Sequence, residues 1–177
     1  NELVKFIQPS SSSVVLNRVV GVDPSSILGH LVANGRVFVV NPNGIFFGPN
    51  SVVDVAGLFA TTLGIKDSDF LAGKYNFTQD PTKSLSYVIN QGEIKVSDNG
   101  FVFLVAPGVK NESLIIANLG KVVLASGSQF SVDFMGDGLI NFMVDGKVLD
   151  KVIGPDGNPL SSAVSNSGTI RADGGQI

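Results

Sequence analysis

The 177-residue chain contains no cysteine. Disulfides, thiolate nucleophiles and cysteine-held metal sites are therefore excluded together. The absence does not fix the compartment, because a long β core holds without covalent staples. Histidine occurs once, at His30, which removes a histidine metal cluster or a histidine-bearing triad with spare ligands. A position at the surface or a helix edge is expected for it. Charged residues make up only 15% of the chain and the net charge is −3, so a nucleic-acid partner, which requires a basic face, is not expected. No apolar run approaches the roughly 18 residues of a membrane helix. Phe101 to Pro107 is among the longest, and no membrane insertion is expected. Nothing reads as a signal peptide, so the chain is expected to be intracellular or already processed.

What is abundant points to β-structure. Apolar residues make up 44%, with 21 glycines in 18.4 kDa, enough for one domain with a sizeable core. Short strands alternate with Gly, Asn, Asp and Pro. "DPSSILGHLVANG" has the best helical spacing, with Asp23 or Ser25 as N-cap and Ile27, Leu28 and Leu31 on one face. It predicts one short helical turn at most. Repetition is the stronger signal. "NQGEIKV" from Asn90, "NLGKVVLASG" from Asn118 and "NSGTIRADGG" from Asn166 share Asn-x-Gly followed by an alternating strand, and "ANGRVFVV" begins similarly. A unit of ~20 residues with two or three strands predicts a β-solenoid of roughly six to seven coils, about 30 Å long. A β-sandwich is the alternative for so many short strands.

Two stretches break the period, Lys66 to Val88 and Phe130 to Leu160. Both are expected to be decorations packed against the rod. In the second, Ser131–Met135 is expected to pair with Leu139–Val144 across Gly136-Asp137-Gly138, and a further turn follows at "GPDGNP". The apolar residues Phe134, Leu139, Phe142 and Met143 need a surface to cover. Asn17, Asn34, Asn90, Asn118 and Asn166 recur at expected strand starts, where stacked amides would hydrogen-bond between coils. "NPNG" at Asn41, Pro42, Asn43 and Gly44 fits a type I turn, with Pro42 fixing φ. It reads as a corner between two strands of one coil, Val37–Val40 and Ile45–Phe47. At least one of Ile45, Phe46 and Phe47 must then face outward.

The stretch from Leu3 to Leu63 resembles the secretion domain of two-partner secretion exoproteins, the filamentous-haemagglutinin and high-molecular-weight adhesin family. The matching motifs, in order, are "FIQP", "LNRV", "ILG", "ANGRVF", "NPNGI", "VDVAGL" and "ATTL". "VINQGEIKV" and the hairpin segment resemble the family's later half. The resemblance implies an all-β, right-handed parallel β-helix with extra-helical β-hairpin decorations, a single domain over 1–177. It implies a secretion signal and folding nucleus for a large exported adhesin-type exoprotein, secreted through the periplasm to the bacterial surface. The implied partner is an outer-membrane β-barrel transporter with periplasmic polypeptide-transport domains, which an extended segment would meet by strand addition. The residues expected to carry transporter recognition or folding are Asn17, Arg18, Asn41, Pro42, Asn43, Gly44 and Ile45. Family members normally carry further strands before "FIQP". Such strands, and continuation beyond the last coil, are expected outside this sequence. Open solenoid ends would allow end-to-end association.

Other readings remain open at this stage. A polysaccharide-active β-helix enzyme would need carboxylates gathered on one groove. Most of Asp67, Asp69, Asp133, Asp137 and Asp145 sit instead beside Gly or at expected turns, where Asp bonds the local backbone. No catalysis and no cofactor are expected. Arg18 either contacts the transporter or packs its stem and binds carbonyls at a corner. "NFT" at Asn76 and "NES" at Asn111 match a glycosylation sequon, a match expected by chance in a bacterial chain. A structural filament subunit is the further alternative.

Overall fold

The structure is a computed structural model that describes residues 2–134, 141–146, 148 and 150–177, with only the backbone of residues 141 and 142. The first coil consists of Leu3–Phe6 (β1), Val14–Arg18 (β2) and Ser25–Ile27 (β3). The second is His30–Ala33 (β4), Arg36–Val40 (β5) and Ile45–Phe47 (β6). The third holds Val52–Val55 (β7) and Gly57–Thr61 (β8), then an excursion through the helix Asp67–Leu71 (α1) and Tyr75–Thr78 (β9), and closes with Tyr87–Asn90 (β10). Glu93–Val96 (β11), Phe101–Val105 (β12) and Gly108–Asn111 (β13) make the fourth. In the fifth, Leu114–Ile116 (β14) and Lys121–Ala125 (β15) are followed by the excursion Gln129–Asp133 (β16) and Asn141–Asp145 (β17), then Val164–Asn166 (β18). Thr169–Arg171 (β19) begins a sixth.

Stacking the coils produces three parallel sheets, ordered β1-β4-β7-β11-β14-β19, β2-β5-β8-β12-β15 and β3-β6-β10-β13-β18. The fold is the expected right-handed parallel β-helix. Among the described residues it has five complete coils and the start of a sixth, fewer than the six to seven expected with insertions allowed for, because the second excursion, between β15 and β18, takes more of the chain than the aperiodic stretch Phe130 to Leu160.

Side-chain alternation divides the apolar residues between two cores. Inward rows such as Val15-Val37-Leu58-Val102-Val122 fill the space between the three sheets. The outward row of the second sheet, Leu16-Phe38-Phe59-Phe103-Val123, is also apolar. It is covered by an antiparallel sheet ordered β17-β16-β9. The expected hairpin is present, with Gln129 opposite Asp145 and Asp133 opposite Asn141. It lies outside the parallel ladder. Gly136-Asp137-Gly138 and Leu139 are outside the described residues. Phe134 packs on the aromatic cluster as expected, but Met143 is exposed. The "GPDGNP" turn forms, closed by Gly154 N donating to Asn158 O at 2.8 Å and a bridge between Ile153 and Pro159.

Three expectations need correction. Residues 23–33 hold no helical turn, and Asp23 and Ser25 cap nothing. Ile27 and Leu31 lie on successive strands, β3 and β4, and the Leu28 between them points outward at 60% exposure. The first excursion ends before Tyr87. Val88 is fully buried in the rod core because β10 pairs with β6 and β13. Finally, of the five asparagines expected to stack, Asn90 and Asn166 do so and lie at strand ends, whereas Asn17 bonds the Phe38 carbonyl, Asn34 bonds Gln8 and the Asn118 amide oxygen accepts no bond among the described residues. Asn90 Nδ2 donates to Asn111 Oδ1 at 2.8 Å, and Asn111 Nδ2 to Asn166 Oδ1 at 2.7 Å. Asn111 is therefore a buried ladder member rather than a surface sequon.

Candidate functional site

The corner Asn41–Gly44 joins β5 to β6. Gly44 N donates to Asn41 O at 3.1 Å, the turn bond that the sequence predicts. Gly44 adopts φ 121°, which a side chain rarely tolerates, and a Cβ there would lie 2.9 Å from Ser86 Oγ. Asn41 is completely buried. Its Oδ1 accepts Asn43 N at 2.9 Å, closing an Asx turn. Its Nδ2 donates to Asp23 O at 3.0 Å and Ser25 Oγ at 2.9 Å. Asn43 Nδ2 reaches Gly21 O at 2.9 Å. The corner of the second coil thus staples the loop between β2 and β3 of the first. That loop presents Val20 and Val22 to solvent, at 92% and 77% exposure.

The other expected residues surround this node. Register places Arg18 beside Val40, immediately before Asn41. Arg18 Nη1 pairs with Asp67 at 2.5 Å and Nη2 donates to Ile65 O at 2.7 Å. Its head therefore binds a carbonyl and a carboxylate at the start of the first excursion. Asn17 Nδ2 makes one long bond, 3.5 Å, to Phe38 O. Ile45 and Phe47 are buried in the rod, and Phe46 is the outward residue of the three. It packs half-buried against Tyr87, Ile89 and Val152.

Sequence reasoning missed the acceptors Gly21, Asp23 and Ser25, which lie 16 to 22 residues from their donors. The coil register would have found them. Burial also raises the pKa of the Tyr87 hydroxyl, beside Gly44.

The candidate acids do not converge. Asp67 is taken by Arg18, and Asp145 accepts its neighbour Gly146 N at 2.6 Å. Asp137 is outside the described residues. His30 lies on β4, half-buried. Among the described residues, no three His, Asp or Glu side chains cluster as metal ligands.

A rod with a stapled corner and an antiparallel cover defines a decorated parallel β-helix. The family model described as TPS secretion domain matches residues 1–175, and the chain belongs to that family. It is 37% identical over 97% of its length to a heme/hemopexin-binding protein of Haemophilus influenzae, of which it spans 18%. A second heme/hemopexin-binding protein from that organism is 42% identical over 43% of the chain and 8% of the relative. The crystal structure of the HMW1 secretion domain from H. influenzae superposes with a TM-score of 0.81 at 33% identity, covering 98% of this chain and 43% of that one.

Proposed function

We propose that this domain addresses a large exoprotein to an outer-membrane transporter and nucleates its folding outside the cell, and that the NPNG corner serves the folding half of that task. The observation that carries this reading is the complete burial of Asn41. In the finished rod no partner can touch its amide, so a transporter meets the segment while it is still extended. An extended β5–β6 segment can add as a strand to a sheet edge of the transporter's periplasmic polypeptide-transport domains. Arg18 then acts as a tie between the first coil and the first excursion. A catalytic role is no part of this reading.

The test compares native and urea-unfolded chain for binding to the purified periplasmic domains, with Asn41→Ala alongside. The unfolded chain should bind more tightly, and the variant should bind as the parent does while its secreted yield falls. Loss of binding by the unfolded variant would instead make the corner a recognition element.

A further inference from the structure

We infer that pairing of β9 with β16 is the closing, rate-limiting step of folding, and that it withholds burial of the aromatic core until both excursions are present. β9 leaves the rod in the third coil, yet within the antiparallel sheet its strand partner is β16, from the fifth. Asn76 faces Ser131 and Phe77 faces Phe130, about 55 residues apart in the chain. Before β16 arrives, β9 is tied to the rod by the Gly64–Thr78 bridge.

The surface that waits is large. Phe38, Phe59, Phe101 and Phe103 all point out of the second parallel sheet and are at most 1% exposed in the finished fold. Phe77 of β9 and Phe130 of β16 reach Phe59 at ring-centre distances of 4.4 and 5.5 Å. The far end is clamped by Phe134, whose ring lies 4.9 Å from Phe101 and 4.8 Å from the Arg36 guanidinium carbon. Gly57 leaves the socket over which Phe101 lies, since a Cβ there would come within 2.7 Å of that ring. Closing a long loop is entropically slow before its contacts reward it. Phe70, Tyr75 and Phe77 of the first excursion reach Phe38 and Phe59, so a chain that lacks β16 keeps open the part of the row that Phe130 and Phe134 cover, at Phe103 and Phe101. This holds whether or not the transporter reading does.

The native chain has no cysteine, so the double variant Asn76→Cys/Ser131→Cys creates a single disulfide between facing residues. Refolding from urea is followed by intrinsic Tyr fluorescence and far-ultraviolet circular dichroism. The oxidised form should refold at least about tenfold faster than its reduced form, because the loop is already closed. Equal rates would overturn the inference. Pulse-labelled hydrogen exchange on the unmodified chain gives an independent reading. Gln79 N, which donates to Ser128 O, should gain protection together with amides of β8 and β12. Protection of β8 and β12 tenfold earlier than Gln79 would refute the coupling.

Discussion

Leu58 and Phe59 are neighbours on β8, and neither has exposed surface. They belong to different interiors. Leu58 lies in the rod core, where Val, Ile, Leu and Ala stack coil upon coil and Phe47 is the one fully buried ring among the described residues. Phe59 lies in the outer core, which buries six phenylalanines among the described residues. Parallel sheets in register repeat the same small volume every coil, and branched aliphatic side chains fill it. The outer core joins a parallel sheet to an antiparallel one, so its side chains do not stack in register. Rings meeting edge-on fill that irregular space, as Phe38 and Phe59 do at 5.2 Å and 68°.

The largest expected break is Phe59→Ala. It should lower stability by about 3–5 kcal/mol in urea denaturation, because one ring supports Phe38, Phe77, Phe103 and Phe130. Asn41→Ala tests a buried spot that belongs to neither apolar core. Asp23 O, Ser25 Oγ and Asn43 N, all part-buried, lose their partner at once, so a loss of about 1–3 kcal/mol is expected by the same measurement. Leu58→Phe sharpens the contrast by placing a ring in the aliphatic stack. Overpacking there should cost about 1–3 kcal/mol, whereas a ring next door is native. Leu119 has φ 53° and is 54% exposed, and the Asn99 of the preceding coil is also in the left-handed region. Leu119→Gly should therefore raise stability by about 1 kcal/mol, read as a higher Tm.

The smallest expected effect is electrostatic. Hydrogen bonds from Lys110 and Gln91 hold the Glu112 carboxyl below its ordinary pKa. Its folded form is thus favoured above the unfolded pKa, and that contribution disappears as pH falls through the folded value. Tm should drop slightly less between pH 6 and 3 in Glu112→Gln, with no difference between the two proteins at low pH.

Local chemistry told most of what could be read from sequence. Asn-x-Gly starts exposed the coil period, Asn41-Pro42-Asn43-Gly44 exposed a corner, and the loss of period after Phe130 exposed the hairpin. Readings failed where a neighbour in space decides. Ile27, Leu28 and Leu31 have helical spacing, but Gly29 packs so tightly on the backbone of Glu2 that a Cβ would lie 2.2 Å from its carbonyl oxygen. That approach suits a chain bending between β3 and β4. Tyr87–Asn90 carries no Asn-x-Gly start, and only pairing with β6 and β13 makes it rod. Burial of the Asn41 amide is sustained by the Asp23 carbonyl and the Ser25 hydroxyl of another coil, which no local window contains.

The amide ladder gives the rod a direction. Each donation runs the same way, from Asn90 to Asn111 and on to Asn166, while the position before Asn90 in the same register is Phe47, a ring that can neither give nor take such a bond. The line of dipoles therefore has a blunt apolar tail and a polar head, like a growing crystal with one active face. Coils that extend it must arrive at the head with an oxygen in register.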